Sequence, residues 1–256
     1  MSAFFQIENR YTSVIATAIH DGHDIYESLR PHLFLNEQQR SREEDPYTGF
    51  MIADLPVTKI TVSSSRFQID LNRMKEKAIY EKPEDAWGLT TWKHFPIEEK
   101  EKLHRDYDAF YEAVKSLIEE TISRHGYVII LDVHSYNHRR DDPFTDAAKD
   151  ENPEINVGTF YNAPDWEKLC TDYTQFLRSK QYDARENIKF KGGAFSQQII
   201  NNYGAKSCVL SVEFKKTFMD EWTGVADIAH VLRLNNLLSQ SIDFLTNKAI
   251  YHPTGL

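Results

Sequence analysis

Cysteine is scarce in this chain of 256 residues: there are two, Cys170 and Cys208, one in a helix-like segment and one in a strand-like segment. That excludes a disulfide framework, and the lack of any CxxC spacing excludes thiolate zinc or dithiol redox chemistry. Glycine and proline are few, at 10 and 9, and neither a repeat nor a low-complexity stretch occurs. Positive charge is in deficit. The net charge of −9 argues against nucleic acid as a partner, because a basic face is the usual footprint there. No apolar run approaches the roughly 20 residues that cross a bilayer. The first residues, Met-Ser-Ala-Phe-Phe-Gln, lack a basic region followed by an apolar core. The expectation is a cytoplasmic protein without membrane or nucleic-acid partners, whose oligomeric state is open.

What is present is alternation. Apolar strand-like runs cover Val14 to Ile19, Val57 to Val62, Tyr127 to Val133, Asn156 to Tyr161 and Ser207 to Phe214. Helical periodicity marks Ile97 to Arg124, where Leu103, Tyr107, Phe110, Val114, Leu117 and Ile118 share a face, closed by His125-Gly126. Further helices are expected from Pro164 to about Ser179, from Ile228 to Leu245 and, in polar form, from about Ile25 to Leu35. Residues 36 to 49, 81 to 96 and 135 to 155 read as loops. The pattern predicts one α/β domain over residues 1–256, with a mixed, mostly parallel sheet flanked by helices on both faces.

Two of the strands deliver imidazole at their carboxyl ends, where open α/β sheets bind ligands. His20 and His23 follow the first, and His134 ends another. A catalytic zinc needs three protein ligands and an open position, which these three would fill. Glu44 and Asp45 are the rival source of a carboxylate ligand, against a plain reading as a solvated loop. Glu213 ends the strand Cys208-Val-Leu-Ser-Val-Glu and suits a base that takes a proton from activated water. Lys215 and Lys216, which follow, read as solvated. Asp70-Leu-Asn72-Arg73, with Arg66, offers grips for an anion, against the reading of an exposed polar turn. Gly192-Gly193 suggests close backbone approach to a ligand, against a simple turn. The other histidines (His32, His94, His104, His125, His138, His230 and His252) read as structural or surface groups, with His138 a candidate for support of the site.

Taken in order, these blocks resemble the N-formylglutamate amidohydrolase family. Arg66 with Asp70 to Arg73 matches an Arg-x-x-x-Asp-Leu-Asn-Arg block, Asp132-Val-His134-Ser135 an Asp-x-His-Ser strand end, and Val212-Glu213-Phe214 the final strand end. Zinc carboxypeptidases and aspartoacylases are more distantly similar. The resemblance implies a phosphorylase/hydrolase-like fold and zinc-dependent hydrolysis of a small anionic amide. It implies His20 and His134 as metal ligands, Glu213 as general base, and Asn72 and Arg73 as holders of a substrate carboxylate. The third ligand falls to His23 only by analogy with the carboxypeptidase turn. Arg66 or Arg73 would help to stabilise the oxyanion. The chain departs from the family after Gly192-Gly193, where an expected Arg and His are absent from Ala194 to Gly204. A different N-acyl amino acid or a short peptide is then the expected substrate; a carboxylate-binding protein without turnover is the non-enzymatic alternative.

Overall fold

A run of nine buried residues, Val128 to Tyr136, suits a strand covered on both faces. In the computed structural model, which describes residues 4–248, that run is the middle of a seven-stranded sheet. The strands are β1 (Phe5–Glu8), β2 (Val14–Ala18), β3 (Thr58–Val62), β4 (Val128–Tyr136), β5 (Ile155–Gly158), β6 (Ala184–Glu186) and β7 (Ser207–Lys215). Their spatial order is β1-β3-β2-β4-β7-β5-β6. The central four, β3-β2-β4-β7, run parallel; β1 joins β3 and β5 joins β7 antiparallel, and β6 is parallel to β5. The chain is one α/β domain with a mixed, mostly parallel sheet, as its alternation implies.

Helices α1 (Glu37–Glu43), α2 (Thr48–Ile52), α3 (Ile97–His125), α4 (Glu167–Ser179), α5 (Ala194–Tyr203) and α6 (Ile228–Lys248) cover it. Side chains alternate across each strand. Ile129, Leu131 and Val133 therefore pack with α2, α4 and α6, while Val128 and Ile130 pack with α3 and α5. The apolar stripe of α3 is buried as its spacing predicts, and Gly126, at φ 84°, ends the helix in a left-handed turn. Each such buried Leu or Phe contributes about 1.5–3 kcal/mol.

Several local expectations fail. Ile25 to Leu35 forms turns with a single 3₁₀ turn at Arg30–His32, because Pro31 removes a backbone donor mid-segment. Residues 36 to 49 are not a loop: α1 starts at a capping box in which Asn36 accepts from the Gln39 amide (2.8 Å) and Gln39 accepts from the Asn36 amide (3.0 Å). β4 extends three residues past Val133. The short edge strands β1 and β6 and the helix α5 carried no sufficient periodic signal. His252 lies outside the described residues.

Candidate metal centre

The site grows by the two-residue period of the strands on one face of the sheet. There, Ile15, Ile130 and Val209 form an apolar row across β2, β4 and β7. The next row on that face is Thr17, Asp132 and Ser211, and the next brings His134 opposite Glu213. The turn after β2 carries His20, whose ring meets that of His134 edge to face at 4.9 Å. Asp45, between α1 and α2, is tied in by its amide to the His20 carbonyl (2.9 Å). Its Oδ2 lies 3.0 Å from His134 Nδ1 and 3.5 Å from His20 Nδ1. All three residues are at most 2% exposed.

The outer nitrogens are also held. His20 Nε2 bonds Asp70 Oδ1 at 2.7 Å, and His134 Nε2 bonds Asp132 Oδ2 at 3.0 Å. Asp70 in turn accepts from Arg66 (2.9 Å), the Asn72 amide (2.8 Å) and the Tyr80 hydroxyl; Asp132 accepts from the Thr17 hydroxyl (2.6 Å). Each carboxylate accepts a hydrogen bond from the ring Nε2–H, so in the neutral ring Nδ1 turns a lone pair inward. Two nitrogen lone pairs and a carboxylate then converge on one point, with their donor atoms within 4.8 Å of one another. Such a convergence needs a positive charge. Protons on the rings can supply that charge: burial opposes charge on Asp45, but hydrogen bonds from the protonated rings of His134 and His20 hold its pKa well below the usual range. Burial likewise opposes charge on His134, and the Asp132 carboxylate overrides it and raises its pKa strongly. Two imidazoles and one carboxylate, braced by second carboxylates, fit a divalent cation such as zinc.

The cluster opens on a cavity of about 400 Å³. Glu213 lines it, and burial pushes its pKa up to about 8. Arg66, Arg73, Arg140, Lys189 and Lys216 line it too, so the wall around an acidic centre is cationic. Trp87 packs between two of these, with the Arg66 guanidinium 4.7 Å and that of Arg140 5.6 Å from its ring.

Residues 12–219 match the profile of the N-formylglutamate amidohydrolase family, FGase. The chain belongs to this family. Its fold is similar to that of the N-formylglutamate amidohydrolase from Ralstonia eutropha JMP134, with a TM-score of 0.78 at 18% identity over 96% of this chain and 99% of that one. It is also similar to a gene product of Agrobacterium tumefaciens, with a TM-score of 0.64 at 16% identity over 94% and 95% of the two chains. No curated protein matches the chain in sequence.

Within this N-formylglutamate amidohydrolase domain, the structure brings His20, His134 and Glu213 to one cavity and leaves His23 out. The His23 side chain is 42% exposed and points at Glu44 and at Arg40 Nη2 (3.0 Å). Asp45, one of the two rival carboxylates, lies with His20 and His134 in the group that could hold a metal ion, and His23 does not. Glu44 and Asp45 are both buried, not solvated, and Glu44 is held by Ser65, Arg40 and His23. Arg66 is largely engaged by Asp70, Tyr80 and the Glu43 carbonyl, whereas Arg73 keeps a 45% exposed side chain at the cavity. The backbone approach at Gly193 is to Asn72: a Cβ there would fall 2.1 Å from Asn72 Oδ1, which also accepts from the Phe195 amide. Gly192, at φ 109°, makes the turn behind it and does not line the cavity. Lys216 is not solvated either; it is 1% exposed, and burial lowers its pKa. Reasoning from sequence missed Arg140, Lys189 and Trp87, which lie in loops without motif spacing. It also passed over the ring-holding role of Asp132, which the i, i+2 spacing to His134 could have indicated.

Proposed function

We propose that this chain is a metal-dependent amidohydrolase that cleaves an N-formyl or other N-acyl amino acid into a carboxylate and the amino acid. The supporting observation is the buried His20–Asp45–His134 cluster with Glu213 beside it in a cationic cavity. A zinc or other divalent ion held by these three donors would supply Lewis acidity, and its charge would draw the Glu213 carboxyl toward its ionised form. Glu213 accepts a proton from the attacking water as the new C–O bond forms. It then gives a proton to the departing nitrogen as the C–N bond breaks. Its side chain, opposite His134 in the strand register, lines the same cavity as the donors. Arg73 grips the substrate carboxylate with its open guanidinium, helped by Asn72 against the Gly192-Gly193 turn. Arg66, locked against Asp70, contributes fixed positive charge near the developing oxyanion.

The cavity, at about 400 Å³, also admits a ligand as large as a short peptide, which favours a peptidase-like second reading. A panel of N-formyl-L-glutamate, other N-acyl amino acids and dipeptides separates the two. No helix among the described residues is long and apolar enough to cross a membrane. Two free, buried cysteines are in keeping with a reducing cytoplasm. The deciding experiment combines metal analysis with Glu213→Gln. The variant should keep one divalent ion per chain and lose roughly 10²–10⁴-fold in turnover. Undiminished turnover removes Glu213 from the chemistry, and purified protein that takes up no metal ends the hydrolytic reading.

A further inference from the structure

Lys216 is a buried cation beside the metal cluster that the proposed chemistry does not use. Its Nζ donates to the carbonyls of Arg42 (2.6 Å) and Glu44 (2.7 Å), at the C-terminal end of α1, where carbonyls lack partners within the helix. Two of its three N–H groups are thereby committed. Buried and engaged in this way, Lys216 is poorly placed to hold a substrate. What it does hold is the peptide group that carries Asp45. The Glu44–Asp45 peptide is gripped at both ends, its C=O by Lys216 Nζ and its N–H by the His20 carbonyl (2.9 Å). His20 lies in the turn after β2. Lys216 directly follows β7, the strand of Glu213, and its own amide bonds the carbonyl of Tyr136 at the end of β4 (3.0 Å). One peptide unit is therefore tied to the ends of three neighbouring strands, those that bring His20, His134 and Glu213 together.

An aspartate carboxylate is separated from its Cα by one methylene, so it goes where its peptide goes. With the peptide fixed, Asp45 Oδ2 faces His134 Nδ1 (3.0 Å) and His20 Nδ1 (3.5 Å), and the Ser135 hydroxyl reaches Oδ1 (3.3 Å). Burial works against the charge on Lys216, and of the carboxylates that sustain it Asp45 acts most strongly, ahead of Glu43 and Glu221. The ammonium nevertheless bonds backbone carbonyls, so it leaves the Asp45 oxygens to the cluster. We infer that Lys216 is a positioning residue of the metal centre: by clamping the Glu44–Asp45 peptide to the end of β7, it aims the Asp45 carboxylate at the point shared by His20 and His134. This rests on the metal-centre reading, and the outcomes of the experiment separate the two.

The experiment measures zinc affinity by competition with a chelator, and the d–d absorption of the cobalt-loaded protein, for wild type, Lys216→Met, Asp45→Asn and the double variant. Lys216→Met keeps a long side chain and removes the ammonium. It should weaken zinc binding by the folded protein roughly 10- to 100-fold, the range expected when a group that orients a metal ligand is lost. Its cobalt spectrum should change, because the ligand geometry changes. In the Asp45→Asn background the same substitution should alter affinity by less than about threefold, because Lys216 acts through Asp45. A lysine that only capped α1 would lower the melting temperature and leave the affinity and spectrum of the folded protein as they are. One that acted on the ion through its charge would, when removed, tighten binding. Unchanged affinity or spectrum, tighter binding, or an equal loss in both backgrounds each overturns the inference. Where Lys216→Met does not fold, Lys216→Gln takes its place; failure of both to fold overturns the inference too, since the lysine is then a requirement of the fold. Wild-type protein that takes up no zinc overturns the metal-centre reading and this inference together, whereas uptake by wild type with no loss in Lys216→Met overturns this inference alone.

Discussion

Along one face of β4, Ile130 and Asp132 are neighbours with opposite duties. Ile130 sits between Ile15 and Val209 in an apolar row under α3 and α5. Asp132, one period on and fully buried, sits between Thr17 and Ser211 and braces His134. The sheet changes from core to site in a single step of roughly 7 Å. Backbone geometry is the same on both sides of that step. The apolar row stabilises the fold simply by leaving water, whereas Asp132 is tolerated because Thr17, His134 and Ser211 partner its carboxylate oxygens. Function is thus built where burial is most costly, on a platform whose stability comes from the adjacent row.

The sharpest way to break this contrast is to change one residue in each row. Ile130→Ala should cost about 2–5 kcal/mol in denaturant unfolding and leave metal affinity intact in the folded fraction. Asp132→Asn should instead weaken metal binding roughly 10- to 100-fold, read by competition with a chelator, because it changes the group that orients His134. If both variants lose stability alike and bind metal alike, the division between the rows is wrong.

Glu221 supplies a buried acid away from those rows. Burial works against its ionisation, but hydrogen bonding and charge from His138, with the amides of His138 (2.8 Å) and Arg139 (3.0 Å), bring its pKa to about 2 from 4.5. A carboxyl depressed on folding adds stability that is fully present above about pH 4.5 and is lost as pH falls toward about 2. Unfolding curves of wild type and Glu221→Gln should therefore converge over that window. A gap that is constant down to pH 2 would refute the assignment. The smallest effect is expected at His23. Its half-exposed ring stands outside the cluster, so His23→Ala should leave metal stoichiometry unchanged and shift stability by about 1 kcal/mol or less. Loss of the ion in that variant would return His23 to the ligand set in place of Asp45.

Much of this was legible beforehand, for identifiable reasons. Continuous apolar runs and the long stripe of α3 announce the strands and the principal helix, because burial on both faces or on one face leaves a period in the sequence. α1 reads as a loop because its residues are mostly charged and polar, so only its capping box betrays it. α5, ten residues long, offers too few turns to establish a period. At the site, His20, His134 and Glu213 could be singled out because each is a polar residue that closes an apolar run. The choice among His23, Glu44 and Asp45 could not be made in that way. Glu44 and Asp45 are adjacent and chemically alike, and which carboxylate turns inward depends on the chain path between α1 and α2.

Residue order alone determined the layered sheet, the strand ends that carry imidazole and carboxylate, and the acidic, cysteine-poor character of the chain, since these follow from local periodicity and composition. Tertiary structure alone decided that Asp45 completes the cluster and that Lys216 is buried against the carbonyls of Arg42 and Glu44. Each of those depends on contacts between segments 89 to 174 positions apart, and the direction of a side chain across such a gap is set by packing, not by its neighbours in the chain.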